Sequence, residues 1–508
     1  MSNRQRGIHY FLFFLQIFAV STITAQHIVK INGKLENEIL KYASIEFTGR
    51  VYPPDDAAKA EQIIPIKNNR FSTTIEIDEP EIAILYLETE NGYFSQPLFL
   101  AKDYQLNLKL AIQNNQLLLE TTGIGANDNR RLDIQTDHEL KALVERLDSI
   151  PDNTFLELRK LFTKDSISIE SYIQTYQPSE AFKIAWRLQY QYSLVRDYII
   201  INETRKTFIP FTYANNKKQW KQIKYDLLRD YPIVNEKAFK AKVPAYFKLI
   251  ERVIGIIKDS IQNERTDPIT FVNEWFGEEI KKEGKSFRPD SKNLLTKKII
   301  DRFFTNDIRH YLYAVLFKNA LAEIEITNLE NIYKEYASIY PNSKYLPIFD
   351  KSMQDFFNKT TRRFTPAMKF IEGKDTIHTF KQLIQLVKGK TILLDMWGTW
   401  CGPCRSDISK HSAIIKAHFK NKPVDYLYVA NLEEENEKGW KEVISFYQME
   451  GYHILASAAL TKDIMTIVKG TGYPTYAIIR PDGSIELSKT QYPMNREVLI
   501  QQIEELLK

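Results

Sequence analysis

The sequence predicts a multidomain chain in three parts: an N-terminal antiparallel β domain over residues 26–129, a central all-α domain over 130–363 and a C-terminal α/β domain over 364–508. Three observations predict it. Apolar residues recur at period 2 in the first part, the mark of strands with one buried face. They recur at helical spacing in the second. In the third, short continuous apolar runs alternate with helical stripes. A chain of 508 residues can bury several cores. With 44% hydrophobic residues, 28 Tyr and 29 Phe, it has the material to pack them, which excludes general disorder. A formal charge of +5 over this length implies no particular nucleic-acid or membrane partner.

The first residues read as an address. Arg4 and Arg6 precede the apolar run YFLFFLQIFAV at 10–20, and STITAQ then offers small Ala25 at a cleavage position. This pattern predicts a signal peptide over 1–25, removed after Ala25, and so a protein of the periplasm or cell envelope. The competing reading is an uncleaved membrane anchor. Gln16 and the shortness of the run weigh against it.

In the β part, HIVKINGKL alternates Val29, Ile31 and Leu35 around Gly33. RFSTTIEID alternates Phe71, Thr73, Ile75 and Ile77, and YQLNLKLAI alternates Leu106, Leu108, Leu110 and Ile112. Turn signals such as YPPDD, ENG and TTGIGAND separate the runs, which together predict a sandwich-like domain without catalytic candidates.

From about Asp133 the period becomes helical. NDIRHYLYAVLF sets Ile308, Tyr311, Leu312, Val315 and Leu316 on one stripe. NLENIYKEYASIY and the run of Phe349, Met353, Phe356 and Phe357 do the same, with Pro341 between them as a breaker. A basic and aromatic stretch, TRKTFIPFTYANNKKQWKQIKYDLLRDYP, is expected to be a solvated helix face with its aromatics buried rather than a nucleic-acid patch.

In the last part, KTILLDMW and VDYLYVANL read as buried strands, SDISKHSAIIKAHFK, EKGWKEVISFYQMEG, TKDIMTIVKG and NREVLIQQIEELLK as helices, and PTYAIIRPDGSIELSK as a hairpin closed at Pro-Asp-Gly-Ser. That order describes an α/β sandwich with a mixed sheet.

The chain has two cysteines, Cys401 and Cys404, both in CGPC between the first strand and the first helix of this domain. A thiol at a helix N-terminus faces unpaired backbone N–H groups and the positive end of the helix dipole, which favour the thiolate. Cys401 is therefore the expected nucleophile. Cys404, one helical turn on, can attack a mixed disulfide on Cys401. Gly402 leaves the approach open, and Pro403 suits an early helical position that needs no N–H. A structural zinc site needs more ligands than this pair, and haem attachment needs a His where Arg405 stands. No metal and no separate cofactor is expected; the redox-active disulfide of Cys401 and Cys404 is the reagent.

These residues carry a resemblance. DMWGTWCGPC resembles the active-site motif of the thioredoxin superfamily, and GTGYPTYAII resembles its second signature, a cis-proline turn before a strand. With the export signal, residues 364–508 look most like the secreted TlpA/ResA-like thiol-disulfide oxidoreductases, and the preceding domains resemble the extensions of multidomain Bacteroidetes-type members. The resemblance implies a thioredoxin-like fold, Cys401 as nucleophile and Cys404 as resolving thiol. It implies a cis Pro474 facing them, Tyr473 presenting backbone to an extended substrate, and Trp400 as an apolar contact. It also implies a helix-and-strand insertion over about 430–458.

Asp395 lies in the buried run TILLDMW. Desolvation would raise its pKa and make it a proton acceptor for Cys404, a position that matches the family's buried acid. The alternative is a locally hydrogen-bonded Asp395 with no chemical part. DYLYVANL lacks the lysine that many thioredoxins pair with that acid. The expected function is an exported protein-disulfide reductase acting on disulfide-containing envelope proteins and recharged by a membrane thiol-electron carrier. An oxidase or isomerase, or a binding scaffold with a vestigial redox domain, are the alternatives.

Overall fold

The computed structural model describes residues 27–130, 140, 142, 143, 145, 150–263, 268–283, 289–373, 376–387, 389–432 and 437–507. The expected signal peptide, the onset of the helical part near Asp133 and the centre of the acidic stretch NLEEENEKGW lie outside the described residues. The chain forms two compact units, Met1–Gly49 with Glu61–Ile250, and Arg50–Ala60 with Glu251–Lys508.

The first unit opens with nine strands, β1 His27–Leu35, β2 Leu40–Phe47, β3 Glu61–Ile63, β4 Ile66–Lys67, β5 Arg70–Ile77, β6 Glu81–Thr89, β7 Tyr93–Leu100, β8 Gln105–Gln113 and β9 Gln116–Ile124. They form two sheets, ordered β4-β5-β1-β8-β9 and β3-β2-β6-β7. Alternate residues from both sheets, among them Ile31, Ile45, Leu85 and Leu108, share one core, so the predicted alternation builds a sandwich. One expectation is corrected. The domain is not purely antiparallel, because β1 pairs with β8 in parallel. Between them the chain visits the second sheet, and it returns running in the direction in which it left. Gly33 has a packing reason: the Phe71 ring of its register partner covers it, 2.0 Å from where a Cβ would stand.

Helices α1 Pro151–Tyr176, α2 Glu180–Phe208, α3 Pro210–Asn215, α4 Lys217–Asp230 and α5 Glu236–Lys240 follow. Ile82 and Phe99 of the sandwich pack with Tyr172, Phe182 and Trp186 of α1 and α2. Buried Asp128 ties the two layers, accepting from the Ser179 backbone N–H at 2.7 Å and from the Tyr104 and Ser179 hydroxyls. In the basic and aromatic stretch, Tyr213 and Trp220 are buried as expected, but Phe208 and Phe211 are exposed.

The unit boundary falls within α6 Pro244–Asn263. The second unit continues with α7 Pro268–Glu283, α8 Asn293–Phe303, α9 Asn306–Glu323, α10 Leu329–Ile339 and α11 Leu346–Thr360. Helix α9 shows more than the predicted stripe. Tyr313, Ala314 and Phe317 are buried along with Ile308, Tyr311 and Leu312, because α8, α10, α11 and residues 54–60 pack around it.

The last part holds β10 Met368–Phe370, α12 Phe380–Gln385, β11 Thr391–Trp397, α13 Gly402–Asp407, α14 Ala413–His418, β12 Val424–Ala430, α15 Glu437–Tyr447, β13 Gly451–Leu455, α16 Ala458–Val468, β14 Thr475–Ile479, β15 Ile485–Leu487 and α17 Arg496–Leu506. The sheet runs β10-β13-β12-β11-β14-β15. Its first four strands are parallel, β14 is antiparallel to β11, and β15 closes the hairpin. Helices α12 and α16 cover one face; α13, α14, α15 and α17 cover the other. This is a thioredoxin-like arrangement, with the cysteine loop at the C-terminal end of a central strand. The expected helix and strand between β12 and α16 are α15 and β13.

Candidate active site

Every residue of β11 is buried, so its two faces are set by the pleat. Ile392, Leu394 and Met396 join the core beneath α12 and α16. Leu393, Asp395 and Trp397 point to the other face, beneath α13 and α14. The strand therefore delivers a carboxylate under the helix that carries the cysteines.

Cys401 and Cys404 form a disulfide, with Cα atoms 5.3 Å apart. Cys401 is the N-cap of α13, and its sulfur accepts from the Cys404 backbone N–H at 3.2 Å. Gly402 and Pro403 are the first two helical residues, where a missing N–H leaves no bond unmade. The helical path runs on through one wide turn, Ile408–Ser412, into α14. Cys404 is fully buried and Cys401 is 3% exposed. Pro474 follows a cis Tyr473–Pro474 bond at the start of β14, the strand next to β11. A second cis bond, Tyr492–Pro493, had no sequence motif to announce it.

Trp400 is 48% exposed and stands at the rim. Its indole N–H donates to the Asn431 carbonyl at 3.0 Å, and its ring meets Tyr473 edge to face, centroids 5.5 Å apart. Gly398 makes room for it: a Cβ there would lie 2.4 Å from the indole nitrogen. Leu432, exposed beside Asn431, extends the apolar rim. Trp397 is core.

Asp395 is buried, and its Oδ1 has no hydrogen-bond partner among the described residues. Burial, seconded by the charge of Asp407, pushes its carboxyl up to about 8. Asp395 borders a cavity of about 30 Å³, room for a water molecule, shared with Asp407, Ser412, Tyr428 and Tyr476. The Tyr476 hydroxyl donates to Asp407 Oδ2 at 2.9 Å, and the Tyr428 and Ser412 hydroxyls lie 3.2 Å apart.

Sequence reasoning missed Asp407, Tyr428 and Tyr476. Each carried a signal. Asp407 lies three residues after Cys404, on the same helical face. Tyr428 and Tyr476 are the register partners of Asp395 on β12 and β14, so the pleat sends all three to one side. Arg405 is buried as well, and its guanidinium donates to the Glu323 carbonyl at the end of α9.

Known proteins give a partial likeness. No family model matches the chain. The thiol-disulfide oxidoreductase ResA of Bacillus subtilis (strain 168) is 27% identical over 99 residues, 20% of this chain and 52% of that protein. The chain thus spans about half the length of the curated relative it matches. Among solved structures, the thioredoxin domain of a thiol-disulfide oxidoreductase from Bacteroides vulgatus is 21% identical, covering 25% of this chain and 84% of that one, with a TM-score of 0.21. The exposed lipoprotein thioredoxin of Streptococcus pneumoniae strain TIGR4 is 20% identical over 24% of this chain and 90% of that one, with a TM-score of 0.20. This chain is similar to thiol-disulfide oxidoreductases over about a fifth of its length.

Proposed function

We propose that the protein is an exported thiol-disulfide oxidoreductase working as a reductase of disulfides in envelope proteins. One observation carries the reading: a Cys401–Cys404 disulfide at a helix N-terminus, above a buried carboxyl held up to about 8. In the reduced protein, the Cys401 thiolate attacks one sulfur of a client disulfide. The Cys401–client bond forms, the client S–S bond breaks, and the client's other sulfur leaves as a thiolate that takes up a proton. The ionised fraction of Asp395, whose carboxyl is held up to about 8, then accepts the proton of Cys404, whose thiolate attacks the Cys401 sulfur and expels the second client thiolate. The client gains two electrons and the pair loses them. A membrane dithiol carrier of lower reduction potential re-reduces the pair and is itself oxidised to a disulfide.

In this reading Trp400, Tyr473 and Leu432 form the apolar rim that holds an extended client segment, and the backbone at Tyr473 and Pro474 pairs with it. Gly402 and Pro403 leave Cys401 unobstructed. The leader expected over 1–25 supports a reaction in the periplasm or cell envelope, with the protein free or tethered.

The test is insulin reduction by dithiothreitol with wild type and Cys401→Ser. Wild type should accelerate turbidity and the variant should not; equal rates would reject the reading. Direction is tested by acid trapping and alkylation in growing cells. A mainly reduced pair supports a reductase, and a mainly oxidised one an oxidase.

A further inference from the structure

The basic and aromatic stretch in the first unit has no part in thiol exchange. Residues 204–225 contain six cations and no carboxylate; Arg205 and Lys224 are buried, which leaves Lys206, Lys217, Lys218 and Lys221 at the surface. The stretch forms the corner where the chain leaves α2, passes through α3 and turns back along it as α4. The corner is anchored from inside. The Tyr213 ring stacks on Trp220, centroids 6.1 Å apart, and its hydroxyl donates to Asn202 Oδ1 at 3.3 Å. Trp220 in turn packs against Tyr198 of α2.

With Tyr213 turned inward, its neighbours are turned out. Phe208 is 69% exposed and Phe211 is 88% exposed, on either side of Ile209 and Pro210. Proline at the first position of α3 fixes this turn. Two phenylalanines exposed at an apex leave apolar surface in water. Lys217 and Lys218, at the start of α4, are exposed and make no ion pair among the described residues. Glu203 faces Lys206 at 3.8 Å, and Asp152 accepts from Gln219.

We propose that the Phe208–Phe211 corner is a membrane wedge, which inserts its two rings below the headgroups of an anionic bilayer while Lys217 and Lys218 contact lipid phosphates. Charge selects the occupant. A protein groove for two rings needs no excess of cations, whereas a cationic collar around a protruding apolar tip complements an anionic interface. Among the described residues no helix is long and apolar enough to cross a membrane, so this contact is peripheral. It is separate from the cysteine pair and survives if the redox reading fails.

The test uses the full chain with Cys401→Ser and Cys404→Ser and one new cysteine, Thr212→Cys, carrying a polarity-sensitive fluorophore. Thr212 is exposed at the apex. Vesicles of equal phosphatidylglycerol and phosphatidylcholine should shift its emission to the blue and saturate. Phosphatidylcholine alone should not. Phe208→Ser and Phe211→Ser should each weaken partition by about tenfold. Lys217→Glu with Lys218→Glu should abolish the preference for anionic lipid, and raising salt should mimic it. Both phenylalanines are exposed, so circular dichroism should be unchanged in every variant. The local label separates this contact from any anchoring by residues 10–20. An apex label that stays in water, even with the chain bound to vesicles, overturns the proposal. So does equal partition with and without the rings, or ring-dependent binding to a protein partner but not to vesicles.

Discussion

Asp395 and Tyr476 face each other across the antiparallel ladder of β11 and β14, and the Tyr476 hydroxyl reaches past the strand to donate to Asp407 at 2.9 Å. The two carboxyls are thus treated unequally. Asp407 receives a hydrogen bond, while Asp395 is left desolvated. Burial keeps the proton of Asp395 in place up to about pH 8.

Stability should therefore depend on pH through Asp395. Below about pH 4 both folded and unfolded chains carry its proton. Between there and about pH 8 only the folded chain does, so stability falls as pH rises through that window and levels off above it. Asp395→Asn should remove this slope and gain up to about 4 kcal/mol at pH 7. Urea denaturation of the oxidised protein at pH 5 and pH 8 reads the difference. A wild type as stable at pH 8 as at pH 5, relative to the variant, would refute the assignment.

The same substitution should slow release of clients. Without a proton acceptor beneath Cys404, resolution of the mixed disulfide should drop by about 10²-fold at pH 7 while attack by Cys401 is little changed. Rapid quench with a disulfide peptide separates the two steps.

Cys404→Ser should accumulate a covalent Cys401–client adduct, and Cys401→Ser should form none. Non-reducing electrophoresis with mass spectrometry distinguishes them. Adducts on Cys404 in the second variant would reverse the assigned roles.

Tyr476→Phe removes the hydroxyl that donates to Asp407. A hydrogen bond to a buried carboxylate contributes about 1.5–3 kcal/mol, and stability at pH 7 should fall by that order. Chemical denaturation at equal pH measures it.

Gly398→Ala would push a methyl group into the Trp400 indole and displace the ring from Tyr473. Peptide clients should bind less tightly, raising KM more than lowering kcat, and tryptophan emission should change.

Much of the site was legible because its residues are local. Cys401 to Cys404 needed only helix geometry, and Asp395 needed only an apolar run with one carboxylate in it. Asp407, Tyr428 and Tyr476 come from three elements, and only strand register brings them together. The α/β order was readable from period alone. The parallel pairing of β1 with β8 was not, because alternation defines a buried face but not a neighbour. Helix α9 read as amphipathic, since five stripe residues are apolar; that Tyr313 and Phe317 are also buried depends on helices packed from every side. Phe208 and Phe211 were expected inside because aromatics beside lysines usually pack. The inward turn of Tyr213 sends them out.

The position of β1 has its own outcome. The first described strand of the sandwich is the middle one of its sheet, held between β5 and β8. As the polypeptide emerges, His27–Leu35 must wait for both flanking partners, the later of which ends at Gln113. Until then its apolar alternation is open to any strand-seeking neighbour. Trimming it would not shave an edge; it would cut the sheet in two.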